Sequence, residues 1–339
     1  MLKLSSWKNW LGLAVAFTAL TSTACTQKPN ATATTPERLP LTSVTSDWIG
    51  FYSYHIAAKK GFFADNGLAI KDSLPLSAAD AFVTFMTKKA DIAWVTTGDA
   101  AQMIERDPSI KIIYVTDYSD GSDGIIGRNI KVPQDIKGKT IARENLLYEK
   151  VFLRAYLKKA GLTEKDVKIK DMGAAEAAAA FANKQVDVAV TYEPSLTKAA
   201  KTGGGNVIFS SKGTNLVADV LVVRQELIKT RKPDLQAYLK AVDKAVKLVK
   251  AGDPEALKIA ATQMNMSVDE VKFQLKGVKL FDLAGNKQIA FNKSSSTNIF
   301  GNLELVAKGV TDFHSELIDI NSKPIDPKSM YDASLVESF

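Results

Sequence analysis

Cysteine occurs once in the 339 residues, at Cys25, and histidine twice, at His55 and His314. A single thiol closes no internal disulfide, so no cross-linked framework supports the fold. The same scarcity leaves no zinc-ligand spacing and no HExxH helix, and a GxSxG nucleophile elbow is missing as well. Basic residues outnumber acidic ones, 44 to 37, for a net charge of +7. Yet nowhere do five or six basic residues run together or alternate with aromatics, and no nucleic-acid partner is expected. The N-terminal apolar run, residues 11–20 (LGLAVAFTAL), is too short to span a bilayer, which takes about 20 apolar residues.

What is present begins with a targeting segment. Lys3 and Lys8 precede that run, and it ends at Ser22-Thr23-Ala24-Cys25. A small residue before the cysteine resembles the lipobox of bacterial lipoproteins, although Ser22 stands where an aliphatic residue is usual. Residues 1–25 therefore read as a signal peptide, with Cys25 as the lipidated tether; plain cleavage would leave a free periplasmic protein. Residues 26–40 (TQKPNATATTPERLP) lack apolar periodicity and read as a flexible leash. The remainder, with 46% hydrophobic and 24% charged residues overall, has the composition of a globular protein.

From Pro40 onward short apolar strands alternate with helices, the pattern of an α/β protein with mostly parallel sheets covered on both faces. Strands are expected at residues 41–45, 92–95 and 112–115, and a helix at about 53–63. Ser77 with Asp80, and Ser267 with Glu270, have capping-box spacing. Residues 85–95 (FMTKKADIAWV) and 181–190 (FANKQVDVAV) align without a gap, matching Phe85 with Phe181, Lys88 with Lys184 and Asp91 with Asp187. A looser echo joins residues 59–71 to 158–170. The repeat predicts two lobes of one architecture, each running helix, strand, helix, strand. Lobe 1 is expected over 41–120 and again over 221–339 with the C-terminal helices, and lobe 2 over 121–220. Two hinge crossings join them: the turn-rich residues 117–124 and the apolar run 216–223.

Several segments together resemble a known group. Residues 48–63 (WIGFYSYHIAAKKGFF plus Ala64), 136–142 (IKGKTIA) and 186–194 (VDVAVTYEP) are similar to solute-binding proteins for taurine, aliphatic sulfonates, nitrate and thiamine precursors that feed ABC importers. The likeness covers roughly residues 41–285. It implies the two-lobed periplasmic binding protein fold of the second type, a hinge-closing mechanism, an ABC permease and ATPase as partners, a monomer, and no cofactor or metal. Residues 120–127 (DGSDGIIG) and 218–223 (ADVLVV) resemble the branch labelled as urea, nitrate or taurine binders.

Ligands of open α/β sheets sit beyond the carboxyl ends of strands. That rule brings Asp47, Trp48, Tyr52, Thr97, Asp99, Asp123, Tyr192, Glu193 and Asp219 toward one cleft. The set is acidic and aromatic, with Arg143 the nearest base. Carboxylates can pair with the N–H groups of a compact cation while rings stack on it. Guanidinium is the expected ligand, with taurine, another sulfonate, nitrate or a thiamine pyrimidine precursor as alternatives. About half of these acids are expected to cap helices or brace the hinge instead. His55 is expected to be a packed or surface residue, and a pyrimidine-precursor enzyme is the reading least supported.

Overall fold

The computed structural model describes residues 39–71, 76–317 and 324–339; Cys25, the signal segment and all but the last two residues of the leash lie outside them, as does the side chain of His314. Among the described residues, eleven strands form two sheets. The first contains β1 (Leu41–Val44), β2 (Ile70–Lys71), β3 (Ile92–Thr96), β4 (Ile110–Ser119), β10 (Ala218–Arg224) and β11 (Val278–Leu280). The second contains β5 (Asp123–Gly127), β6 (Thr140–Arg143), β7 (Lys168–Asp171), β8 (Val188–Tyr192) and β9 (Asn206–Ser210). The helices relevant to the site are α1 (Tyr52–Lys59), α2 (Phe62–Asp65), α3 (Ala78–Met86), α4 (Thr97–Arg106), α5 (Leu147–Lys159), α6 (Ala174–Ala182) and α7 (Ser195–Gly203). Then follow α8 (Gln225–Thr230), α9 (Lys232–Lys250), α10 (Pro254–Gln263), α11 (Val268–Leu275), α12 (Leu283–Gly285), α13 (Phe300–Leu317) and α14 (Ser334–Glu337).

Strand order is β2-β1-β3-β10-β4-β11 in one sheet and β7-β6-β8-β5-β9 in the other. The first three strands of each order pair in parallel, and every later pairing is antiparallel. Most strands of each sheet thus run in one direction, as expected, and the crossing strands β10 and β5 run against them. The physical cause is the crossing. β5 arrives from the first sheet and β10 from the second, so each enters its new sheet from the hinge side and must run against its neighbours. Ala218, Asp219 and Val220 pair in the first sheet, within the run 216–223 read as the return crossing.

Both faces of each sheet are covered, which explains the near-continuous apolar strands. Along β3, Ile92 and Trp94 enter the core beneath α1 and α9, whereas Ala93 and Val95 enter the core beneath α3 and α4. Alternation along an extended strand dictates that split. In the second sheet Val188 and Val190 face one core and Ala189 the other. Ser77 caps α3, accepting the Asp80 N–H at 3.0 Å, and Ser267 caps α11 in a reciprocal box with Glu270.

The internal repeat is structural. The segment α1–β2–α3–β3–α4 is repeated as α5–β7–α6–β8–α7. Phe85 and Phe181 are both fully buried, and Lys88 and Lys184 both take positive φ, 62° and 60°. Asp91 accepts the N–H of Thr42 at 2.8 Å, and Asp187 accepts that of Thr140 at 2.9 Å. Each pair ties the loop before a central strand to the neighbouring parallel strand. Arg224 lies 4.4 Å over the Phe85 ring and Arg128 lies 4.3 Å over that of Phe181.

The two crossings are tied to one another. Ser119 and Ser211 share a hydroxyl hydrogen bond of 2.7 Å, and Ser211 Oγ also accepts the Gly121 N–H at 2.8 Å. Both serines are buried. The hinge is thus two strands wide and stitched at its centre.

Candidate functional site

A small, tight pocket lies where the strand ends of the two sheets meet. The first half contributes Ser46, Trp48 and Phe51 after β1, Trp94 and Thr96 from β3, Ala78 and Asp99 from the starts of α3 and α4, and Asp219 from β10. The second half contributes Asp123 from β5, Tyr148 from α5 and Tyr192 from β8, and Val217 belongs to the crossing. The position of these side chains follows from strand polarity, because residues just past a parallel strand's carboxyl end face the crevice.

Carboxyls dominate the polar lining. Asp99 and Asp219 are each 2% exposed, Asp123 is 5% exposed, and Asp117 behind them is fully buried. Asp219 sits in register with Asp117 on β4 and with Thr96 on β3. Asp117 accepts the Trp48 indole N–H at 3.0 Å and the Thr116 hydroxyl at 3.0 Å, and it lies beside Asp219 on the paired strand. Desolvation raises both pKa values. Asp117 ionises first because it accepts those two bonds, while its charge pushes Asp219 well above the usual range. Burial lifts Asp99 to about 7, against the bonds it accepts from Thr96. Burial likewise lifts Asp123 to about 7, with the Asp117 charge adding to the rise. Two carboxyl oxygens, Asp99 Oδ1 and Asp219 Oδ2, are buried without a hydrogen-bond partner.

Aromatic rings form the walls. Trp48 from one half meets Tyr192 from the other edge-on, at 5.8 Å between centroids and 87° between planes. Lysine and arginine do not line the cavity among the described residues. Arg143 turns away, toward Asp171 at 3.2 Å and Glu164 at 3.7 Å. His55 is buried in α1, with Nε2 held 3.0 Å from the Thr45 hydroxyl.

Of the residues singled out in the sequence, Trp48, Asp99, Asp123, Tyr192 and Asp219 come together in this lining. The other four lie elsewhere. Asp47 is exposed and accepts the Tyr52 hydroxyl at 2.7 Å, so these two satisfy one another outside the lining. Thr97 is buried in the first turn of α4. Glu193 accepts the Thr197 N–H at 3.1 Å and its hydroxyl as well, capping the start of α7. Sequence reasoning missed Asp117, because residues 117–119 look like a turn but extend β4 through pairing with β10 and β11. It also missed Tyr148, whose place at the second position of α5 was the available signal.

Residues 48–256, well over half of the chain, match the family described as NMT1/THI5 like. The chain belongs to the NMT1/THI5-like family. A relative from Brucella abortus, named a putative binding protein, is 20% identical over 84% of this chain and 88% of its own length. The alkanesulfonate-binding protein of Xanthomonas axonopodis, solved with MOPS bound, superposes with a TM-score of 0.69 at 14% identity, covering 86% of this chain and 98% of that one. A desulfurization enzyme superposes with a TM-score of 0.58 at 13% identity, over 89% and 98% of the two chains. These family members and neighbours share a two-lobed periplasmic binding protein fold, α/β in both lobes. The fold carries binding proteins and an enzyme alike, so function must be argued from the cavity.

Proposed function

We propose that this chain is the solute-binding component of an ABC importer and that it captures a small nitrogenous cation, guanidinium being the best fit. One observation carries the ligand class. Asp99 Oδ1 and Asp219 Oδ2 are buried acceptors without donors, in a cavity whose lining contains no base. A buried carboxylate without a partner is costly, and a planar cation with N–H groups on several edges would satisfy both oxygens. Trp48 and Tyr192 offer ring surface for stacking.

Transport rather than chemistry is supported by the family, by the Brucella binding protein and by the sulfonate-binding neighbour. In this reading Trp48, Asp99, Asp123, Tyr192 and Asp219 form the site, and ligand contacts from both halves favour the closed state. That state would dock on the permease and its ATPase. The N-terminal segment would direct export, and Cys25 would tether a monomer at the periplasmic face of the membrane. Loss of the tether in globomycin-treated cells, or a diacylated Cys25 in the mass spectrum of the mature chain, tests that part.

A second reading, an organosulfonate ligand, is favoured by the neighbour bound to MOPS. Calorimetric titration with guanidinium, urea, taurine, nitrate and a thiamine pyrimidine precursor separates the two. Saturable heat with guanidinium alone supports the cation. Saturable heat with taurine and none with guanidinium discards it.

A further inference from the structure

Three helices open onto the cavity, α3 through Ala78, α4 through Thr96 and Asp99, and α5 through Tyr148. In each, the third helical residue is acidic: Asp80, Asp99 and Glu149. A helix N-terminus carries unpaired N–H groups and a partial positive charge, and it readily seats an anion. At α4 the chain's own carboxylate, that of Asp99, already occupies that role. Asp99 forms a reciprocal cap with Thr96, its N–H donating to Thr96 Oγ1 at 3.0 Å while its carboxyl accepts from Thr96 in return. Glu149 accepts the Glu144 N–H at 2.5 Å and the Tyr148 hydroxyl at 3.2 Å. Glu144 in turn accepts the N–H of Ala174, the first residue of α6.

A second observation points to a ligand. Asp99 is almost wholly buried, lines the cavity and leaves Oδ1 without a donor, so its carboxyl does more than close a helix.

We propose that Asp99, assisted by the buried Glu149 nearby, sets the charge selectivity of the cleft, filling the α4 N-terminus from within so that oxyanions are excluded and a compact N–H-bearing cation is admitted. The inference rests on the cation reading above and deepens it. An oxyanion entering here would meet carboxylates where it needs donors. A cation would meet one free oxygen on Asp99 and another on Asp219.

The test is calorimetric titration of the full mature chain and of the Asp99→Ser, Asp99→Asn and Glu149→Gln variants, using guanidinium and ethanesulfonate as probes. Circular dichroism first establishes which variants fold. The wild-type chain should bind guanidinium and give no heat with ethanesulfonate. Asp99→Ser should lose guanidinium affinity by about tenfold or more and gain saturable ethanesulfonate binding, because the α4 N-terminus is then open. Glu149→Gln should move both affinities the same way by less. Asp99→Asn provides the same comparison if the serine variant does not fold. Folded Asp99 variants that lose guanidinium and gain no anion would make Asp99 a simple contact, sinking this inference while leaving the cation reading intact. A wild-type chain that binds ethanesulfonate and ignores guanidinium would overturn both.

Discussion

Asp123 and Asp219 occupy equivalent places in the two halves of the molecule. Asp219 on the crossing strand β10 lies in register with Thr96 at the end of β3, and Asp123 on the crossing strand β5 lies in register with Tyr192 at the end of β8. The gapless repeat that matches Phe85 with Phe181 also matches Thr96 with Tyr192. Each half therefore delivers one buried carboxyl to the cavity from its incoming strand. The two are not equal in environment. The Asp117 charge raises the Asp219 pKa further, whereas the Ser119 hydroxyl eases that of Asp123, whose backbone N–H donates to Ser119 Oγ at 3.0 Å.

Both residues belong to the proposed site, beside Asp99. Asp219→Asn and Asp123→Asn should each weaken guanidinium binding about tenfold or more, the effect of losing a charge-assisted bond of roughly 1.5–3 kcal/mol. Glu193→Gln should leave affinity within about twofold, because its carboxyl serves the α7 cap, and instead lower stability by about 0.5–1 kcal/mol. Calorimetry and thermal melts of the three variants check both statements. A tenfold loss of affinity in Glu193→Gln would place that residue in the site after all.

The pH dependence has a definite sign. Asp99 and Asp123 titrate near 7 in the folded chain, well above the ordinary aspartate range, because burial disfavours their charged forms. The folded state then holds more protons than the unfolded state between about pH 4 and pH 7, so stability of the ligand-free protein should fall as pH rises through that window. A bound cation reverses the preference by favouring the ionised carboxyls. Guanidinium affinity should consequently rise from pH 5 to pH 8, with net proton release on binding. Titrations in buffers of different ionisation enthalpy measure that release. Affinity flat or falling over the range contradicts the coupling of ligand to these carboxyls.

Trp48 is held in place from behind the cavity. Its indole N–H donates to Asp117, which therefore connects the wall of the pocket to strand β4 without touching the cavity itself. Asp117→Ala leaves that buried donor unpaired, and it should lower stability by about 1–3 kcal/mol. Trp48→Phe together with Asp117→Ala should be less than additive, since the two side chains form one unit. Additive losses in a double-mutant cycle of thermal stability would show that the bond contributes nothing of its own.

Much of this was legible before any coordinates. Ser77 with Asp80, Ser267 with Glu270, and the 85–95 to 181–190 repeat each encode a local geometry in a few adjacent residues, and each is found in place. Strand direction was not legible, because the polarity of β5 and β10 depends on which sheet the chain has just left. The site was half legible for the same reason. Asp99, Asp123 and Asp219 sit at strand and helix ends that periodicity locates. Asp117 has turn-like neighbours and becomes a strand residue only through β10 and β11 pairing. Glu193 sits at an equally suggestive strand end, yet its carboxyl turns back to Thr197 four residues on.

The two halves meet at one residue without a side chain. Gly98, in the first turn of α4, lies against the start of α5 from the other half; a Cβ there would stand 2.7 Å from Tyr148 N and 2.9 Å from Tyr148 Cβ. Those are backbone and near-backbone atoms, so no rotamer change relieves the clash. Alanine is otherwise favoured over glycine within a helix by about 1 kcal/mol. Gly98→Ala should therefore leave each half intact and penalise only the state in which α4 and α5 abut. The expected result is guanidinium affinity reduced by tenfold or more with unchanged helix content. Solution scattering should show a radius of gyration that stays at its ligand-free value in the presence of guanidinium. A Gly98→Ala chain that binds guanidinium like the wild type and contracts with it would show that the halves do not need this contact to close.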